Sequence, residues 1–369
     1  HLREPGFEYK ETIETGAAAA ARGGFTSIAC MPNTRPTVDC PEQVDFVRKK
    51  AAEACGVHIW PIGAVSKGQR GQELTDFEAL KGAGVVALSD DGVPIQNANL
   101  MRDGLIMAHR QDLTILSHCE DADMVKNYAV NEGRVSRQLR LDGRPAIAEE
   151  LMVSRDAMLA EETGAAVHIC HISTAKSVAI VRRYKRKGVQ ITCETCPQYF
   201  SLTEDEILAQ GTMARVNPPL RTWSDVEAII EGLKDGTIDA IATDHAPHSA
   251  EEKARPLTEA PSGMVGLETA LGVTLTYLYH TGELPLSDIL RKMTINPACI
   301  LRLPTKGRLA IGADADVVIF DPDEVWTVDP EQFASKGRNT PFAGKELKGK
   351  IKYTIVGGKI VYQDEKKEI

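Results

Sequence analysis

Ala166-Val167-His168-Ile169-Cys170, followed by His171 and then by the helical pattern of Ala175 to Lys187, is the stretch on which the fold turns. A short apolar, β-branched run ends in a polar residue and gives way to an amphipathic helix, which is one β-α unit. The same make-up recurs at Thr26-Ser27-Ile28-Ala29-Cys30, Val57-His58-Ile59-Trp60, Gly84-Val85-Val86-Ala87-Leu88, Leu113-Thr114-Ile115-Leu116, Val189-Gln190-Ile191-Thr192-Cys193 and Ile238-Asp239-Ala240-Ile241-Ala242. Helical patterns lie between such runs at Lys10 to Ala21, Pro41 to Ala54 and Ile147 to Glu162. Nearly continuous apolar strands alternating with helices predict a parallel sheet covered by helices. The chain opens abruptly on His1, and a strand severed before it makes these seven into eight. The expected class is α/β, a (β/α)8 TIM-like barrel with its first strand and N-terminal part missing. A doubly wound sheet is the alternative, weakened because no Gly-rich phosphate fingerprint follows an early strand.

From about Pro304 the texture changes. Gly307, Gly312 and Gly357-Gly358 punctuate strand-like runs at Asp316-Val317-Val318-Ile319-Phe320, Lys352-Tyr353-Thr354-Ile355-Val356 and Lys359-Ile360-Val361-Tyr362. These predict a small β-sandwich domain over 304–369, after a barrel over 1–303. No internal repeat or low-complexity segment stands out.

Composition narrows the function classes. The 369 residues carry a net charge of −9, with basic residues scattered, which argues against a nucleic-acid surface. The short cluster Arg182-Arg183-Tyr184-Lys185-Arg186-Lys187 is expected to close a helix, where cations meet the negative end of its dipole. Eight cysteines occur without a secretory leader at the visible start, and no apolar run reaches transmembrane length. The expectation is a reduced, cytoplasmic enzyme.

His1, Asn33, Asp91, His118, His171, Asn217 and Asp244 each follow an apolar strand or lie in the loop after it. Barrel enzymes collect catalytic groups at that end, where strand ends form a ring around one pocket. Three His and two Asp so placed suit a zinc-like site of nitrogen and oxygen ligands. Two metals about 3.5–4 Å apart could share a carboxylate. Each residue alone reads as ordinary, and Asp90-Asp91-Gly92 alone reads as a turn. Their joint recurrence at successive strand ends is the signal.

Other residues take plainer readings. His168 stands three residues before His171, so in one extended strand the two would point to opposite faces, and His168 is expected to be structural or supporting. Cys193-Glu194-Thr195-Cys196 lacks a second pair at zinc-ribbon distance. Cys119 is expected to be a buried thiol, and His58, His109 and His280 to be structural. His245 is expected to support Asp244. Arg3, Asn33, Asn217 and His248 would by themselves be loop residues.

Five stretches change that reading: His1-Leu2-Arg3-Glu4-Pro5-Gly6, Met31-Pro32-Asn33-Thr34, Ser89-Asp90-Asp91-Gly92, Asn217-Pro218-Pro219-Leu220 and Ala242-Thr243-Asp244-His245-Ala246-Pro247-His248. Together they resemble the motifs of dihydroorotases, of the amidohydrolase superfamily, and the resemblance runs over nearly the whole chain. It implies zinc, one or two ions per chain. His1, an upstream His and Asp244 would hold one metal and His118 and His171 the other, with Asp91 in the bridging position that many relatives fill with a carboxylated lysine. It implies Arg3, Asn33 and His248 on the substrate α-carboxylate, and Asn217 and the backbone near Gly263 to Gly266 on the ring. Asp244 would carry the catalytic proton. The implied reaction interconverts N-carbamoyl-L-aspartate and L-dihydroorotate in de novo pyrimidine biosynthesis. A homodimer and an aspartate carbamoyltransferase partner are implied possibilities, with no nucleic acid and no membrane. The competing readings are a hydantoinase or allantoinase, in which Arg3 lacks a carboxylate to bind, and an inactive scaffold, in which the ligand set has no purpose.

Overall fold

The computed structural model describes residues 1–54, 56–126 and 128–364. Its strands are β1 (Ser27–Cys30), β2 (His58–Gly63), β3 (Ala87–Leu88), β4 (Ile115–Ser117), β5 (Val130–Asn131), β6 (Gly143–Arg144), β7 (Val167–Ile169), β8 (Ile191–Thr195), β9 (Ala240–Ile241), β10 (Val317–Thr327), β11 (Glu346–Val356) and β12 (Lys359–Gln363). Seven form one parallel sheet in the order β1-β2-β3-β4-β7-β8-β9. This order follows the chain without reversal, whereas a doubly wound sheet turns back at a switch point. The sheet is therefore the curled wall of a TIM-like barrel, with helices outside.

The apolar runs locate the strands well and their ends poorly, because ladder pairing is short. Gly84-Val85-Val86-Ala87-Leu88 illustrates the difference. Gly84 adopts φ 109°, the left-handed cap that ends the helix Phe77–Ala83, so the chain is still turning at Val85. Only Ala87 and Leu88 pair.

Helix Ile13–Arg22 begins at Thr12, whose hydroxyl accepts from the Thr15 amide at 3.1 Å. Its buried face is Ala17, Ala19, Ala20 and Ala21, small residues that let the backbone approach the sheet. The basic cluster ends helix Ala175–Arg186, with Arg183, Lys185 and Arg186 in its last turn. Val44, Leu80, Leu105, Ile115, Val153, Val167 and Ile229 are buried between helices and sheet. Each such side chain contributes about 1.5–3 kcal/mol relative to exposure.

β10, β11 and β12 form an antiparallel sheet in that order. It docks on helix Ile13–Arg22, where Thr354 Oγ1 donates to the Ala21 carbonyl at 2.6 Å. Residues 328–345, between β10 and β11, return to the end of the barrel at which the strands point. Asn339 there donates to the Ala246 and Gly263 carbonyls, both at 3.0 Å. No helix among the described residues is long and apolar enough to cross a membrane.

Candidate metal centre and substrate pocket

The loops after four strands and the opening hexapeptide bring His1, Asp91, His118, His171 and Asp244 together. Asp91 lies between two histidine sets: its Oδ2 is 3.3 Å from His1 Nε2, while its Oδ1 is 3.5 Å from His118 Nδ1 and 3.4 Å from His171 Nε2. His118 Nδ1 and His171 Nε2 are 2.9 Å apart. Asp244 Oδ1 is 3.2 Å from His1 Nε2. The neighbouring Asp90 has a different task. Its carboxylate accepts from the Val65 amide at 2.8 Å and the Ser66 amide at 3.1 Å, which fastens the loop and aims Asp91 inward.

Orientation of the imidazoles follows from their outer partners. His1 Nδ1 faces Asn33 Oδ1 at 3.0 Å, and Asn33 Oδ1 can only accept, so the proton sits on Nδ1 and the Nε2 lone pair faces Asp91 and Asp244. His118 turns Nε2 toward Glu120 Oε2 at 3.6 Å and Nδ1 toward His171. Two imidazole nitrogens and a carboxylate oxygen converge within 4.8 Å of one another, and His171 Nδ1 has no partner among the described residues. Acceptors aimed at one point need a cation between them, so these residues fit a divalent metal ion. Burial opposes charging His118, yet hydrogen bonds to Asp91 and Glu120 outweigh it and raise it to about 10. Burial likewise opposes ionising Asp91, but His118, His171 and His1 hold it well below the usual carboxylate range.

Arg3, His171 and Asp244 have φ of 61°, 34° and 43°. Side chains with a Cβ rarely adopt this left-handed region, and such residues cluster at functional sites. His168 and His171 both line a 570 Å³ cavity, together with His1, Asp91 and Asp244. The expected opposition of their side chains fails because β7 ends at Ile169 and the chain then twists back at His171.

On the substrate side, Arg3 Nε donates to the Pro247 carbonyl at 3.2 Å and its Nη2 lies 3.3 Å from His248 Nε2. His248 Nε2 donates to the Ser262 carbonyl at 2.9 Å, and its Nδ1 faces Lys10 Nζ at 3.3 Å. Burial, then the charges of Arg3, Lys10 and Lys253, lower His248 to about 2, so the ring is neutral. Asn33 commits Oδ1 to His1, and its amide nitrogen makes no hydrogen bond among the described residues. Asn217 Oδ1 accepts from Arg144, while its Nδ2 is 3.4 Å from both Glu120 Oε2 and His118 Nε2.

Several residues around the site carry no sequence signal. Glu11 is fully buried and accepts from the Lys336 amide at 3.0 Å and from Ser335, and it lies 3.2 Å from His245 Nε2. His245 Nδ1 accepts from the Gly266 amide at 3.1 Å, so His245 ties the Asp244 loop to its surroundings. Glu120 and Arg144 form an ion pair beside His118. Only their burial together, with no partner nearby in sequence, could have flagged them. His168 pairs with Glu194 at 3.2 Å and with Thr192 Oγ1 at 2.8 Å, close to Cys170. Cys119, Cys193 and Cys196 are buried free thiols.

Comparison with known proteins agrees with this geometry. A family model described as Dihydro-orotase-like matches residues 1–177. The chain is 53% identical over 368 residues to a dihydroorotase of Pelotomaculum thermopropionicum, covering 99% of this chain and 85% of the relative. It is 50% identical over 365 residues to a dihydroorotase of Acetivibrio thermocellus, again 99% and 85%. Among solved structures, an L-hydantoinase from Arthrobacter aurescens superposes with a TM-score of 0.89 at 25% identity, covering 98% of this chain and 83% of that one. A dihydropyrimidinase from Brevibacillus agri gives 0.85 at 23% identity, over 98% and 82%, a likeness of fold alone. Half of the residues are thus shared with curated relatives along essentially the entire chain, and the chain belongs to the dihydroorotase family.

Proposed function

We propose that the protein is a dihydroorotase, catalysing reversible cyclisation of N-carbamoyl-L-aspartate to L-dihydroorotate, with zinc as cofactor, one or two ions per chain. The observation that carries the choice is the placement of Arg3. It stands two residues from His1, which contacts Asn33, and beside the neutral His248, so an anion can be held next to the ligand cluster. Arg matches a carboxylate by two parallel hydrogen bonds.

When bound, a divalent cation supplies Lewis-acid chemistry, polarising a carbonyl and making water acidic near neutral pH. The residues of the chain do the rest. We assign the α-carboxylate to Arg3, Asn33 and His248, the last able to donate only by turning its single N–H from the Ser262 carbonyl to the ligand, and the ring to Asn217. Asp244 takes a proton from the attacking water and delivers it to the departing ring nitrogen. In cyclisation the same carboxylate takes that proton back from the nitrogen. We assign the barrel chemistry to residues 1–303 and a supporting role to 304–369. Assembly as a homodimer or with aspartate carbamoyltransferase rests on the family resemblance, and light scattering with and without that partner tests it.

The second reading is a hydantoinase-like activity, favoured by the solved structures that share the fold. A neutral ring leaves Arg3 without an anion, which costs binding because a buried polar group stays unpaired. The deciding experiment assays the metal-loaded full protein on dihydroorotate, hydantoin and dihydrouracil. Dihydroorotate should be preferred by at least roughly 100-fold in kcat/KM. Turnover of the neutral rings with none of dihydroorotate would reverse the assignment.

A further inference from the structure

Behind the Arg3 and His248 side of the pocket lie two cations that the chemistry above does not use. Lys253 is 1% exposed. Its ammonium donates to the Pro261 and Gly263 carbonyls, both at 3.0 Å, and reaches the Arg215 carbonyl at 3.4 Å. Arg215, also buried, donates to Ser262 Oγ at 3.3 Å and to the Leu257 carbonyl. Neither has a carboxylate within salt-bridge distance among the described residues. The nearest acid in sequence, Glu252, is paired with Lys10 at 2.9 Å.

All three residues from Pro261 to Gly263 are therefore gripped from behind by these cations, and the middle one presents its carbonyl to His248 Nε2 at 2.9 Å. Gly263 has φ 138°, and a Cβ there would come within 2.7 Å of the Ala246 Cβ and 3.0 Å of His248 Nε2. The segment is packed too closely to shift without moving His248. Burial and the neighbouring Arg215 lower Lys253 to about 7, so its ammonium is only partly charged near neutral pH, and an anion arriving nearby would favour the charged form. Neutral His248 cannot supply that charge balance, but an acidic ligand held by Arg3 can.

We propose that Lys253 is a positioning residue for the substrate carboxylate: with Arg215 it holds Pro261–Gly263 against His248 and provides the positive field that selects an acidic ring over a neutral one. The inference rests on the dihydroorotase reading and deepens it.

The test uses the full metal-loaded enzyme. Lys253→Met should raise KM for dihydroorotate at least about tenfold while kcat stays within about threefold, the pattern of lost ground-state binding. Lys253→Arg, which keeps the charge, should recover most of the change. Inhibition by dihydrouracil, the same ring without the carboxylate, should be unaltered in Lys253→Met. Should Lys253→Met fail to fold by thermal melting, Arg215→Met is expected to give the same KM shift. An unchanged KM in a folded variant, or a dihydrouracil inhibition constant that rises in parallel with KM, would overturn the proposal. Wild-type enzyme that does not turn over dihydroorotate would instead overturn the functional reading itself.

Discussion

Asp244 combines a strained backbone, with φ 43°, and a carboxylate oxygen 3.2 Å from His1 Nε2. A proton carrier must be held at one place, and that position holds it. Asp244→Asn should lower kcat by roughly 10²–10⁴ even in protein that still holds metal, as expected for loss of general acid-base catalysis, and activity assays normalised to metal content by elemental analysis check it. Arg3→Met should act differently. Losing a charge-assisted pair of about 1.5–3 kcal/mol should raise KM for dihydroorotate roughly tenfold to a hundredfold, with a smaller effect on kcat. His248 gives a pH signature. Burial, with Arg3, Lys10 and Lys253, lowers it to about 2, while its unfolded value is near 6.5. Below pH 6.5 the unfolded chain takes up a proton that the native chain refuses, so stability falls as pH falls, by up to about 1.4 kcal/mol per unit. Between pH 6.5 and 5 that amounts to about 2 kcal/mol. His248→Gln should show a shallower decline across this window in urea unfolding.

At the scale of elements, the opening hexapeptide works because it is stapled on several sides. Arg35 donates its amide to the Pro5 carbonyl at 2.9 Å, and Glu4 accepts from the Ile13 amide at 2.9 Å. Gly6, at φ 97°, lies so close to Arg35 that a Cβ would sit 2.2 Å from its carbonyl oxygen. Glu11 then joins this region to residues 335–336 and to His245. Glu11→Ala should destabilise the fold by roughly 2–4 kcal/mol, since it strands several buried donors, and denaturant unfolding measures it. Such links explain which parts of the site were legible. His1, Asp91, His118, His171 and Asp244 announce themselves by ending apolar runs. Glu11, Glu120, Arg144 and Lys253 do not, because each acts through residues brought near only by folding; Glu11 and Lys336 are 325 positions apart. The facing of His168 relative to His171 was not legible either, since the strand ends at Ile169 and a left-handed residue follows, which breaks the two-residue alternation.

For the molecule as a whole, strand order in the sheet follows chain order, which is why apolar runs and helical patterns sufficed to indicate the barrel. The return of 328–345 to the catalytic end was not legible, because it lacks periodicity and is held by single contacts such as Asn339 to Ala246. The convergence of ligands from several strand loops also makes metal a structural brace. Stripping the metal with a chelator should lower the melting temperature by roughly 3 °C or more relative to protein with metal at a hundredfold over Kd, and scanning calorimetry with metal re-addition should restore it. The two-residue interval between His1 and Arg3 has a further consequence. On the reading proposed above, with both ends of that interval clamped, the hexapeptide would act as a ruler whose marks are a metal ligand and a guanidinium. A ligand whose carboxylate is set one methylene farther from its scissile amide should then reach either mark but not both, and its turnover beside that of dihydroorotate checks whether chain length as well as charge is selected.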